Sequence, residues 1–257
     1  MSDMALTLRQ VRYENKAFWR NPPAAFFTVA FPLMFLVIFN LLFGSDEITI
    51  PGGKASASNF YVPAITAFAV ISASFTYVAM GVSLARDEGI LKRVRGTPLP
   101  TWSFVGGRVI HAVLIAFLLT AIAIVAGAIF YGVDVPTDTM PAVVVTVFVG
   151  AVAFSALGLA VSGFVPNADA APAVVNGIIL PLLFISDVYI PDDDAPEWLR
   201  AIANAFPIKH FSEALQAPFS PFTTGSGFEW GHIAVIAVWG VVGLFIAIRF
   251  FSWEPRK

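Results

Sequence analysis

The sequence predicts an all-α integral membrane protein. It has six transmembrane helices, an N-terminal interfacial helix, and a helical hairpin between spans five and six that rests on or re-enters the membrane. Three observations carry that prediction. Hydrophobic residues make up 58% of the 257 residues and charged residues only 12%, where an ordinary soluble domain carries roughly 25% charged residues. The charged residues divide the chain into six apolar stretches of 17–31 residues, and a helix needs about 20 such residues to cross a bilayer. The stretches are continuous: Ala112 to Ile129 is broken only by Thr120 and Gly127, unlike the alternating short strands of a membrane barrel. The same composition excludes disorder. A net charge of −2 supplies no basic field for nucleic acid. The absence of Cys removes disulfides, thiolate metal sites and thiol nucleophiles.

The elements follow in order. Within residues 4–20, Arg9, Arg12, Lys16 and Arg20 fall in a helical stripe of about 80°, beside an arc of about 100° carrying Leu8, Val11, Phe18 and Trp19. Such a helix lies on anionic headgroups. Asn21-Pro22-Pro23 then turns the chain into the first span, 24–43. That run is too long for the apolar region of a signal peptide and lacks a small-x-small cleavage site, so it is expected to be retained. The other spans are 60–84, 109–131, 141–164, 171–189 and 231–248. The fifth is the shortest and holds Pro172, Asn176, Gly177 and Pro181, so it is expected to bend or to stop short of one face. The stretch Ala214 to Phe228 is rejected as a span because Pro218, Pro221, Gly225 and Gly227 interrupt it.

Orientation follows from Lys and Arg. Twelve of the 15 basic residues lie in the N-terminal segment, the loop after the second span and the C-terminus; Lys54, Arg200 and Lys209 lie on the other side. Both termini are therefore expected to be cytoplasmic. Asp46, Glu47, Asp134, Asp138 and the run Asp192, Asp193, Asp194 gather on the far side; the run reads as a solvated acidic cap rather than a cation site.

Two segments outside the spans carry more than topology. The loop 86–98 places Ile90, Leu91 and Val94 on one ridge of a short helix flanked by charge, with Gly96 and Pro98 ending it. A merely solvated loop needs no apolar ridge, so this one reads as a docking helix for a soluble partner. The far-side segment 191–229 is too long for a simple turn. Asp194 and Pro196 open a helix with Trp198, Leu199, Ile202 and Phe206 on one face, Pro207 breaks it, and Phe211 and Leu215 mark a second helix. Trp198 and Trp230 suit an interfacial aromatic belt.

Those two segments carry a family resemblance. The stretch RDEGILKRVRGTP, from Arg86 to Pro98, resembles an Arg-Glu-x-Gly-Thr-Leu-Lys-Arg-Leu pattern followed by Thr-Pro. That pattern follows the second span in membrane subunits of type-2 ATP-binding-cassette exporters of the daunorubicin-resistance-like group. Asp87, Ile90 and Val94 depart mildly from it. Pro196-Glu197-Trp198-Leu199 leading to Pro207 resembles the same family's pattern between spans five and six. The resemblance implies a permease chain in a bacterial plasma membrane that pairs with a second permease chain and docks separate ATPase subunits. ATP and Mg2+ are then bound by the partner, because this chain has no phosphate-binding loop: Gly53-Lys54 lacks the upstream Gly and is followed by Ala55. The resemblance makes Arg86, Asp87, Glu88, Gly89, Ile90, Leu91, Lys92, Arg93, Val94 and Arg95 the coupling helix. The partner's closure is expected to press on Ile90, Leu91 and Val94, with the charged residues setting register. It also implies that spans two and five line the path, with Ser72, Phe75, Thr76, Tyr77, Met80, Asn176 and Ile179 as candidate lining residues. Apolar, mildly polar walls suit an amphipathic drug or lipid.

Other functions fit the residues less well. An ion-coupled transporter places ionisable residues within its spans, whereas these cores hold only His111, Asp187 and His232, all near an end. An intramembrane protease needs a base beside its nucleophile or a His-Glu-x-x-His motif. His111, His210 and His232 are scattered in the sequence and suggest neither, and no metal site is expected. A passive anchor needs neither a docking helix nor a Pro-broken span. Small-xxx-small pairs such as Gly243 and Ala247 do not by themselves place a dimer contact.

Overall fold

The computed structural model describes residues 3–50, 52–186 and 196–253. The expected acidic cap Asp192–Asp194, the helix-capping role of Asp194, and Asp187 lie outside the described residues.

Helix α1, Asp3–Trp19, has Arg9, Arg12 and Lys16 exposed, and Arg20 is exposed in the turn just after it, as a headgroup-facing stripe requires. Arg9 donates to the Tyr13 hydroxyl over 3.4 Å, and its guanidinium lowers the phenol's pKa. Leu8 and Trp19 are exposed, but Phe18 is not. It turns into the protein with Thr7 and Glu14, and its ring meets Tyr77 and His111 edge-on at 5.3 and 5.4 Å. The apolar arc expected to face lipid is thus divided between the protein's surface and its interior.

The Asn21 side chain accepts the Ala24 N–H over 3.3 Å and starts α2, Pro22–Phe43, the first span. Between spans one and two lies a two-stranded antiparallel hairpin that the sequence reading did not anticipate, β1 Glu47–Ile50 against β2 Gly53–Ser56. Asp and Glu at its start and short strands gave weak apolar alternation, so only pairing reveals it.

Helix α3, Ser58–Asp87, is the hub: it is the most buried of the spans. Its middle turn, Ser72–Thr76, is a π-helical stretch. Such wide turns recur where a helix must re-aim its side chains. Here it presses the Phe75 backbone against Gly158: a Cβ there would lie 2.6 Å from the Phe75 carbonyl oxygen. Gly158→Ala is therefore expected to destabilise the fold by about 1–3 kcal/mol, the usual cost of overpacking, read as a lower thermal midpoint in detergent. Unchanged stability would mean the two helices can part.

After the short helix α4, Ile90–Arg95, come α5, Thr101–Tyr131, and α6, Met140–Ser162. At 31 residues α5 is about 46 Å long, well beyond the roughly 30 Å of hydrocarbon. Its first two turns lie ahead of the expected span 109–131 and form the seat of α1. Helix α7, Ala171–Phe184, has 14 residues with Pro181 inside, about 21 Å. Among the described residues five helices, and not α7, are long and apolar enough to cross a membrane. The sixth span expected over 171–189 is described only as this shorter helix, with the remainder of that range, 187–189, outside the described residues.

Helices α8, Glu197–Ala205, and α9, Pro207–Gln216, form the helical pair ahead of the last span. Trp198 and Ile202 are exposed, whereas Ile208, Phe211, Ala214 and Leu215 enter the core. The Phe211 ring packs edge-on to Phe154 at 5.3 Å and covers Gly150. Finally α10, Trp230–Phe250, lies along α6. A Cβ on Gly240 would meet Ala153 at 2.9 Å, and one on Gly243 would meet the Leu157 backbone nitrogen at 2.9 Å. The small residues around Gly243 and Ala247 thus serve packing within this chain.

Candidate functional site

The site is the corner where α3 passes into α4. Helix α3 ends at Asp87 and Gly89 turns with φ 70°, a left-handed conformation that glycine adopts without cost. Helix α4 then packs Leu91 into a cluster with residues of α3 and α5. Thr97 closes it by donating to the Val94 carbonyl over 2.7 Å.

This corner sorts the predicted docking residues by direction. Glu88, Ile90, Lys92, Arg93 and Arg95 are exposed. Leu91 is fully buried, in a cluster with Val78, Val82 and Phe104, and Val94 packs against the same cluster. Of the expected ridge, only Ile90 is open to a partner. The reason is the geometry of one helical turn: Leu91 and Val94, three apart, share the face toward the spans.

Arg86 also turns inward. Its side chain is 1% exposed. It donates to the Ser162 carbonyl over 2.9 Å and to the Val165 carbonyl over 2.6 Å. Ser162 is the last residue of α6, so the guanidinium satisfies carbonyls left open where that helix stops. Asp87 accepts the Ala168 N–H, and Asn167 caps the next turn by accepting the Ala170 N–H over 2.8 Å. Arg86 and Asp87 thereby fasten the corner between α3 and α4 to the connection between α6 and α7, three residues short of α7. Sequence reasoning gave both residues to docking. It missed the tether because the acceptors are backbone carbonyls some 76–79 residues away, and no side-chain pattern announces a carbonyl.

The candidate path residues are only partly brought together. Phe75 and Ile179 line one wholly apolar cavity of about 190 Å³, with Phe154, Leu182, Phe206 and Trp239. Met80 packs on the same core from its margin. Ser72 and Thr76 are half-buried in the π-helical turn, and Asn176 is exposed on α7. Tyr77 faces the opposite side of α3, against Phe18 and His111. Successive residues of one turn cannot all face one cavity, so Phe75 and Tyr77 part company.

The histidines are not scattered in space. His210 and His232 meet, their Nδ1 atoms 2.8 Å apart. His111 is separate and buried, its ring against Phe18 and Tyr77.

The comparisons with known proteins agree with this architecture. The sequence signature of the family described as ABC-2 type transporter matches residues 6–219. The daunorubicin resistance ABC transporter permease protein DrrB1 of Streptomyces coeruleorubidus is 27% identical over 221 residues, covering 82% of this chain and 74% of that protein. The inner membrane transport permease YadH of Escherichia coli K12 is 24% identical over 231 residues, covering 86% of this chain and 82% of YadH. The probable multidrug ABC transporter permease YbhR of the same strain is 22% identical over 154 residues, covering 60% of this chain and 42% of YbhR. With a match over most of its length and a bundle of long apolar helices, the chain belongs to the ABC-2 type transporter family of membrane permeases.

Proposed function

We propose that this permease is the membrane half of an ATP-driven exporter in a bacterial plasma membrane, with both termini cytoplasmic. Two permease chains form the path, and separate ATPase subunits, which bind ATP and Mg2+, dock on the outward face of α4. The observation that carries the reading is the double tether of Arg86 and Asp87. A force applied to Ile90, Lys92, Arg93 and Arg95 reaches the start of α7 through one rigid corner rather than through a solvated loop. Leu91, buried against α3 and α5, makes the short helix move with the spans instead of peeling away.

The cargo is an amphipathic drug or lipid. The cavity between Phe75 and Ile179 has no polar lining, and at about 190 Å³ it is smaller than the roughly 300–1,000 Å³ of sites that enclose a small molecule. One chain thus supplies part of a binding surface that a second chain completes. The names of DrrB1 and YbhR, which refer to daunorubicin resistance and multidrug transport, favour the same class of substrate. A proton-coupled mechanism is less well supported: among the described residues the one buried carboxylate is Glu14, on α1 outside the spans and paired with Arg108.

Reversing Lys92 and Arg93 together to Glu tests docking. Each exposed pair is worth up to about 1 kcal/mol, and reversal turns two attractions into repulsions. Co-purification of the ATPase is expected to weaken at least about tenfold, and export is expected to fall with it. Unchanged association and export would remove α4 as the docking surface.

A further inference from the structure

At the end of the bundle opposite α4, three metal-binding side chains converge. His210 and Glu213 lie one turn apart on α9, and His232 lies in the first turn of α10. His210 Nδ1 is 2.8 Å from His232 Nδ1, and Glu213 Oε2 is 3.2 Å from the same His232 nitrogen. The two imidazole rings stand 5.0 Å apart.

The outer partner of His210 fixes its tautomer. Its Nε2 lies 2.9 Å from the Asn204 carbonyl oxygen. A carbonyl only accepts, so Nε2 carries the proton and Nδ1 presents a bare lone pair to the cluster. This is the arrangement that orients a metal-ligating imidazole, with its second nitrogen donating to a backbone carbonyl. The His210 lone pair, His232 Nδ1 and a carboxylate oxygen then face one another, all within 4.8 Å. A proton on His232 Nδ1 can satisfy only one acceptor well, whereas a divalent cation satisfies all three.

We propose that His210 Nδ1, His232 Nδ1 and Glu213 Oε2 form a zinc site. Two imidazoles, one carboxylate and a water are a set that suits Zn2+. Bonds of about 2.0–2.1 Å put tetrahedral ligands roughly 3.3 Å apart, so the rings need to open by only about 0.5 Å. Glu213 and His232 are each about one-third exposed, which leaves the fourth position open to water. The other carboxylate oxygen, Oε1, faces Lys209 Nζ at 3.8 Å and stays outside the coordination sphere. The bound ion would pin α9 to the start of α10 and hold the helical pair of α8 and α9 closed on the last span.

The test is a titration of the tag-free full chain in lipid nanodiscs with Zn2+ against a chromophoric chelator, and with Co2+ as a visible probe. We expect one metal per chain, a Co2+ ligand-field spectrum of a four-coordinate nitrogen and oxygen site, and a thermal midpoint raised by Zn2+. His210→Ala and His232→Ala should each weaken zinc binding at least about tenfold, and Glu213→Gln should weaken it less than either. Absence of stoichiometric zinc at micromolar concentration in the wild-type chain would overturn the site. So would a Co2+ spectrum of a six-coordinate, all-oxygen ion, and so would zinc affinity that survives both histidine changes. The first two readouts use the unaltered protein, so a variant that fails to fold does not rescue the idea.

Discussion

Arg86→Ala is expected to leave the permease able to hold its ATPase partner but unable to turn ATP hydrolysis into export. The side chain is buried, so it contributes no surface to a docking contact. Its two donors hold the carbonyls of Ser162 and Val165, and hydrogen bonds to a charged group are each worth about 1.5–3 kcal/mol. Losing both leaves the Asp87 bond from the Ala168 N–H to hold the connection into α7, a looser link to the corner, while Lys92, Arg93 and Arg95 stay where they were. The measurement is export per ATP hydrolysed in proteoliposomes. It should fall at least about tenfold, since a loss of only 1.4 kcal/mol of coupling already gives that factor. Copurification of the ATPase should change little. Arg86→Lys keeps the charge but can serve the two carbonyls less well, because an ammonium lacks the planar fork, and should give an intermediate ratio. If the alanine variant does not insert, Asp87→Asn probes the same tether through its bond from Ala168. An unchanged ratio of export to hydrolysis, accompanied by lost association, would make Arg86 a docking residue after all.

That expectation marks where the sequence stopped being informative. Five of the six expected apolar runs were legible as long helices because an apolar run of helical length is a local property. The loop 86–98 was legible as holding a short helix between Gly89 and Gly96. Which of its faces was open was not, because Leu91 and Val94 sit beside charges and read as a surface ridge until Val78, Val82 and Phe104 are seen packed on them. The same holds for Phe18, which the helical wheel put on a lipid arc and the structure puts against Tyr77 and His111. His210 and His232 lie 22 residues apart, with a loop between them, so no spacing rule for metal ligands within one helix could join them. Helix periodicity tells which residues share a face; it does not tell what that face meets.

The other large effect concerns α1, whose attachment was not legible at all. Glu14 and Arg108 are 94 residues apart, and in the sequence each reads as one more charge at a membrane edge. In the structure they form a buried pair: Arg108 Nε and Nη2 each lie 3.2 Å from Glu14 Oε1, and Gln10 donates to the same oxygen over 3.0 Å. The guanidinium also lies over the Phe104 ring at 5.2 Å. Glu14→Gln is expected to destabilise the protein by about 3–5 kcal/mol, because it strands Arg108 as an uncompensated buried charge. Arg108→Met alone strands Glu14 in the same way. The double variant Glu14→Gln with Arg108→Met removes both charges, keeps similar volume and leaves Gln10 an amide partner, so it should recover most of the loss. Thermal unfolding of the four proteins in one detergent gives the coupling energy directly as a double-mutant cycle. Because the pair is buried, the wild-type midpoint should hardly move between low and high salt. Additive losses in the double variant would show instead that the two side chains act separately, and that Thr7 and Phe18 alone seat α1 on the first two turns of α5.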